Sequence, residues 1–502
     1  MAHHFANTIP AHLLMWQRVR EYAVPPSMIE TATARRAVGD WAGACAAARV
    51  DTDLDLRAVR DRHGSELVNH LRADLRRLAP DLLRWHMPRI APDGRLRSGL
   101  TISLSRYRSS GATALHLVVR TPSAWADAGQ RMSLALWEES GIGVPRHHPH
   151  PHPDRRFRLD LHRHLWDAGR CGELSWRCGA VGVPFLAPPD RPYALARTNV
   201  PDLPDRSAVH DCSWASARWA AEGELLLGAE GLPRGAFTVR LGTRSRAVLE
   251  LVAPDESHVP TFRALREAVP PQEVAALPML PEAAARVLPD LELLRAGLIA
   301  SERLHPLVAT ALAAAASVAA ARPGPAAGPA SQRSDPHRVE CRGEVHRIAL
   351  RDGALTAIDH DPAQLRREEL LVALGGPALP CLRAIDAVHR DPEALPAVRE
   401  RLGHGDVSGA LNVVEGLLGP GAVLRDGPLR EELESAAVRR IDHGLFRSGL
   451  VAVHPADGAA GGGNASGLGH AGPSRRPRLD RRTPTAMHLK RSSRERPRTG
   501  LA

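Results

Sequence analysis

The sequence predicts an α+β protein, and three observations predict it. Apolar residues step by three and four between positions 54 and 79, alternate with period two at several places between 93 and 253, and resume helical spacing beyond a Pro/Gly-rich break at 322–337. A chain of 502 residues exceeds one core, and 43% apolar with 24% charged residues is the balance of a globular protein.

Residues 1–92 read as a helical segment. Leu67, Leu71, Leu75 and Leu78 form one apolar stripe of a helix from Leu54 to Ala79, with Asp51 and Asp53 as its N-terminal caps and Pro80 ending or kinking it. Residues 93–253 read as a mixed strand region with one helix. Strands are expected at Leu100/Ile102/Leu104, 114–120, Met132/Leu134/Leu136, Phe157/Leu159/Leu161, 236–241 and 247–252, and a helix at 213–228. Residues 254–321 return to helical spacing. Leu304 to Ala321 carry no formal charge, but nine of these residues are alanine and Pro306 interrupts them, so no membrane span is expected.

Residues 322–337 form the expected linker. Residues 338–454 read as a hairpin plus a helical bundle. Asp352-Gly353 marks the hairpin turn, Asp361-Pro362 and Asp391-Pro392 mark helix starts, and further helices cover 405–418 and 427–446. Residues 455–502, first Gly/Ala-rich and then Arg-rich, are expected to be disordered. Gly39-Asp40-Trp41-Ala42-Gly43-Ala44 matches Gly405-Asp406-Val407-Ser408-Gly409-Ala410 at four of six positions. No fixed repeat period accompanies the match, so an Ala/Gly-rich composition is its expected cause.

The charge separates along the chain. Basic residues number 66, only Lys490 being lysine, against 56 acidic ones. Abundant Arg, Ala, Gly and Pro are the mark of G+C-rich coding, so arginine content alone says little about phosphate binding. From Arg475 onward ten basic residues face Asp480 and Glu495, a charge of +8, which leaves +2 for the preceding 474 residues out of the total of +10. Arg475, Arg476, Arg478, Arg481, Arg482 and Arg491 are the candidate polyanion contacts. No aromatic residue follows Phe446, so the tail has phosphate-binding charge but no platform for base stacking.

The candidate metal ligands are Asp160, His162 and His164. On a strand over 156–164 they would share a face, spaced about 7 Å apart in succession. The same pattern also fits a polar strand face, and Phe157, Leu161 and Leu165 also fit a helix, which would separate the ligands. Cys171 and Cys178 lack zinc-knuckle spacing. His63, Glu66 and His70 lie on a helix flank and match no metalloprotease motif. Residues 51–62 begin like a calcium loop, but Leu56 and Arg62 stand where Gly and Glu are needed. Asp359-His360-Asp361 could serve acid–base chemistry, although Asp361 is better used as a cap. Neither a GxSxG elbow nor a P-loop occurs.

No closed four-ligand site is read from these spacings, so no cofactor is expected. The start, Met1 to Arg20, has no basic segment leading an apolar run, and a cytoplasmic setting with reduced thiols is expected. The function expected from all this is non-enzymatic: an intracellular protein-interaction or regulatory protein with an unidentified protein partner. The alternatives are an enzyme in the 93–253 region, metal-assisted or not, and weak, salt-sensitive polyanion binding by the tail. In a DNA titration at several salt concentrations, the tail should give a log–log slope of roughly −5 to −7. Truncation at His454 should abolish the binding, and sequence-specific binding by the truncated chain would move the nucleic-acid site into the body.

Overall fold

The computed structural model describes residues 9–108, 114–126, 128–138, 151–177, 214–232, 234–242, 245–252, 260–265, 270–317, 338–341, 343–352 and 354–448. The fold is α+β and divides into two units. The first comprises Met1–Pro122 and Arg131–Pro323, the second Ser123–Gln130 and Gly324–Ala502. The expected linker and tail lie outside the described residues, and so do the six tail arginines.

The first unit begins with helices α1 (Ala11–Tyr22), α2 (Pro26–Ala37) and α3 (Trp41–Ala47), strand β1 (Val50–Asp53), and helices α4 (Leu56–Arg77) and α5 (Pro80–His86). The leucine stripe of α4 is buried as its spacing predicts. Gly64, at φ +87°, breaks the helix into two halves, and Pro80 opens α5. Asp51 and Asp53 are not caps. Val50–Asp53 pairs in parallel with a later strand, so Asp51 faces Arg131 (2.5 Å) and Asp53 faces Arg120 (2.6 Å). Asp55 caps α4 instead, accepting from the amides of Arg57 and Ala58.

A two-stranded ribbon, β2 (Arg89–Ile90) and β3 (Arg95–Leu96), leads into β4 (Thr101–Arg108), β5 (Ala114–Arg120) and β6 (Met132–Glu138). The sheet order is β1-β6-β5-β4, antiparallel except for β1. Leu104 is bulged: Ser103 faces Val118 and Ser105 faces Leu117. The extra residue shifts the strand's parity, so Ser105 and Tyr107 join Ile102 and Leu104 on the core side. There Asp74 of α4 accepts from Ser105 Oγ (2.7 Å), Tyr107 Oη (2.8 Å), Arg163 Nη2 (2.5 Å) and Arg77 Nη2 (2.8 Å). Burial raises the pKa of this carboxyl group, but the bonds from Arg163, Ser105 and Tyr107 together outweigh burial and hold it below its ordinary value.

Helices α6 (Leu174–Arg177) and α7 (Trp219–Ala229) precede a three-stranded antiparallel sheet of β7 (Ala236–Arg240), β8 (Arg246–Val252) and β9 (Thr261–Ala264). Strand β9 lies in a stretch expected to be helical. Backbone pairing with β8 decides its form, which periodicity over four residues cannot. Helices α8 (Pro271–Ala276), α9 (Glu282–Ala285), α10 (Pro289–Arg295) and α11 (Pro306–Ser317) complete the unit. Among the described residues no helix is long and apolar enough to cross a membrane.

The second unit carries an antiparallel meander, β10 (Arg338–Cys341), β11 (Glu344–Arg351) and β12 (Ala354–Ala357). Asp352 takes φ +53° in the predicted turn. Helices α12 (Pro362–Ala373), α13 (Pro380–Arg390), α14 (Leu395–Gly403), α15 (Val407–Leu418) and α16 (Pro428–Arg447) follow. Asp361 caps α12 as expected, whereas Asp391 ends α13 and α14 starts only at Leu395, because Leu395 N–H closes a turn on the Pro392 carbonyl.

The two matching hexapeptides adopt one geometry. Gly39 and Gly405 take φ +78° and +82°, and the following aspartates take ψ 75° and 69°. Each aspartate accepts from the amide three residues on, Gly43 (2.8 Å) or Gly409 (3.2 Å). Each also takes a guanidinium five residues back, Arg35 (3.3 Å) or Arg401 (2.9 Å). A Cβ at Gly43 or Gly409 would stand 2.1 Å from the aspartate oxygen. The shared residues are therefore set by a common αα-turn, not by composition alone. The two turns differ in surroundings. A Cβ on Gly39 would meet nothing within 4 Å, while one on Gly405 would lie 2.1 Å from the Gly129 carbonyl oxygen. Gly39→Ala should therefore cost only about 1 kcal/mol of left-handed strain in thermal melting, and Gly405→Ala at least ~2–3 kcal/mol. Equal losses would refute the close packing at Gly405.

Candidate metal centre

Three side chains of the second unit converge where the meander meets α13. Cys341 is the last residue of β10. His360 lies in the turn after β12, between Asp359, which pairs with Arg347 (2.8 Å), and the capping Asp361. Cys381 is the second residue of α13, behind Pro380 at the first helical position. Their ligand atoms all lie within 4.8 Å of one another, and His360 Nε2 is 3.3 Å from Cys381 Sγ. Among the described residues this is the group of three or more that could hold a metal ion.

Local structure explains the convergence. Cys341 pairs with Glu344 across the β10–β11 turn, so its side chain shares a face with Val339, His346, Ile348 and Ala357. Cys341 and Ala357 pack there with Leu379 and Cys381 of the α13 start. Burial, with the neighbouring Cys341 thiol, pushes the Cys381 thiol up to about 11. Without a cation Cys381 is thus held as a thiol, and a bound metal ion would reverse that by stabilising the thiolate. Two sulfurs and an imidazole suit a borderline-soft ion such as Zn²⁺.

The sequence-predicted ligands lie in the first unit and do not form this kind of cluster. Residues 156–164 are not a strand but turns leading into a 3₁₀ helix at Arg163–Leu165. The apolar side chains of Phe157, Leu159 and Leu165 are buried within this irregular segment. Asp160 turns to Arg158 (2.8 Å). His162 Nδ1 lies 2.9 Å from the Arg158 carbonyl, and its Nε2 lies 3.3 Å from Glu222, which Arg177 (2.7 Å) and Arg218 also hold. His162 and His164 do come together, rings edge-on at 5.7 Å, but beside two guanidinium groups that oppose a cation. Cys171 bonds the Ala168 carbonyl, and Cys178 lies outside the described residues.

Sequence reasoning missed Cys341 and Cys381 because they stand forty residues apart, with His360 between them, and no short spacing links them. The available signal was that two of the six cysteines flank the predicted hairpin. His360 was noticed for acid–base chemistry, yet it faces the thiols, while Asp359 is occupied by Arg347. No known protein family matches the chain, and neither a curated protein nor a solved structure is similar to it. Fold and site together define the class: an α+β protein with a Cys/His cluster in its second unit.

His164 gives the first unit a pH dependence. Burial, then His162 and Arg177, holds its pKa well below the ordinary value. The unfolded chain takes up a proton below pH ~6.5 and the folded chain does not, so stability falls as the pH drops. The expected change is a loss of stability as the pH falls from about 6.5 towards 5. Denaturant melts of the full chain against His164→Gln check this, and an unchanged slope in the variant would refute it.

Proposed function

We propose that the chain is a non-enzymatic, transition-metal-binding protein of the interaction or regulatory class, in which the ion staples the second unit. The observation that carries this reading is the Cys341–His360–Cys381 cluster at the junction of three elements. The buried apolar cluster around it is small among the described residues, made of Cys341, Ala357, Leu379 and Cys381. A sheet of three short strands packed over so few side chains needs reinforcement, and metal ligation supplies it directly. Two buried carboxylate clusters of the first unit support the non-enzymatic half of the reading. Asp74 accepts four bonds, and Glu222 is held by two arginines and a histidine, so both are used in structure. A reducing cytoplasmic setting belongs to the same proposal, since the ligand sulfurs must stay reduced.

The reading departs from the sequence expectation that the chain carries no cofactor. The test is metal analysis of the purified full chain, followed by melting with and without a chelator. About one equivalent of zinc-class ion is expected. Its removal should lower the melting of the second unit by roughly 10 °C or more, and Cys341→Ser should do the same without a chelator. A metal-free protein whose melting ignores both zinc and chelator would refute the reading.

A further inference from the structure

We propose that His346 is the fourth ligand, so that the centre is a closed Cys₂His₂ site for a zinc-class ion. The inference rests on the metal reading above and decides what that reading leaves open. Three protein ligands would leave a coordination position for water and reactants, whereas four close the site and make it structural.

The register of the meander places His346 for this role. His346 pairs with Val339, two residues before Cys341, and so lies on the same face as Cys341 and Ile348. Its ring stacks on that of His360, with centroids 4.1 Å apart and planes 10° apart. Its Nδ1 is buried and has no hydrogen-bond partner. A buried imidazole nitrogen without a partner is unfavourable, and a metal bond would remove that penalty. The nearest carboxylate on the same turn does not compete. Asp359 is held by both the Arg347 side chain (2.8 Å) and the Arg347 amide (2.8 Å). The three ligand atoms that already converge are those of Cys341, His360 and Cys381, so His346 joins them only if its ring leaves the stack on His360 and turns toward the sulfurs. The resulting set, Cys341, His346, His360 and Cys381, has the two-sulfur, two-nitrogen composition of tetrahedral zinc sites.

The experiment is a cobalt(II) titration of the full chain, followed in the visible spectrum, with wild type against His346→Ala and with X-ray absorption of the wild-type zinc form. Wild type should show the intense d–d bands of four-coordinate cobalt together with thiolate charge transfer. His346→Ala should weaken and shift the d–d bands, keep the charge transfer, and bind at least roughly 10-fold more weakly. Added imidazole should restore the wild-type bands, which a merely structural role for His346 would not allow. The outer-shell scattering of the zinc form should count two imidazole rings, a measurement that needs no variant. Unchanged bands and affinity in His346→Ala, or scattering from one ring only, would overturn the fourth ligand and leave a three-ligand centre standing. If wild type binds neither cobalt nor zinc, the metal reading itself falls, and the fourth ligand falls with it.

Discussion

The carboxylate of Asp74 sits inside the first unit's core and must find as many donors there as water would have given it. It takes them from three places far apart in sequence: Arg77 on its own helix, Ser105 and Tyr107 on β4, and Arg163 beyond the sheet. Each donor fixes an element. The helix cannot rotate without losing the leucine stripe, and the strand cannot slip without turning Ser105 and Tyr107 away. The turn at 163–167 is pinned because Arg163 also bonds Asp167 (2.9 Å) and lies over the Trp166 ring at 4.5 Å. Removing one partner would leave the others charged or polar in a place without water, which is why such networks specify register more than they add stability.

The same logic recurs at Asp290, which holds Arg20 through two bonds (2.9 and 2.7 Å) and Trp85 Nε1 (3.0 Å), tying α1, α5 and α10 together. Buried arginines elsewhere in the unit donate to backbone carbonyls: Arg84 to Ala23, and Arg89 to Arg84. An arginine-rich composition thus has a structural use, because the planar guanidinium can satisfy several acceptors at once where the chain has almost no lysine. This is a reason, independent of nucleic acids, for a body rich in arginine and nearly neutral overall.

The second unit solves a different problem. Its helices α14, α15 and α16 share an apolar core of leucines and valines, while the meander and α13 share a much smaller one. The Cys/His cluster lies in the smaller core, where a strong local interaction adds most. The αα-turn built by Gly405 and Asp406 shows how few residues can set a local structure. A glycine supplies the positive φ, an aspartate caps the next helix, and an arginine five residues back neutralises the cap. The first unit builds the same turn from Gly39, Asp40 and Arg35.

The sequence by itself determined what depends on neighbours along the chain. The leucine face of α4, the strands at 101–108, 114–120 and 132–138, the Asp352 turn, the cap at Asp361 and the helices at 407–418 and 428–447 all follow from local periodicity, φ preference and capping. Only the tertiary structure decided what depends on partners distant in sequence. Val50–Asp53 is a strand because Met132 lies beside it, and Thr261–Ala264 because β8 does. Phe157, Leu159 and Leu161 alternate like a strand, yet that segment forms successive turns and meets β4 only through single bonds from the Asp154 and Asp160 amides to the Thr101 and Ser103 carbonyls. The bulge at Leu104 swaps the faces of β4, which strict alternation does not anticipate. Cys341, His360 and Cys381 meet only because the meander folds back and α13 packs on it. Metal ligation needs three or four donors at one point in space, and no rule of spacing along a chain encodes a meeting across forty residues.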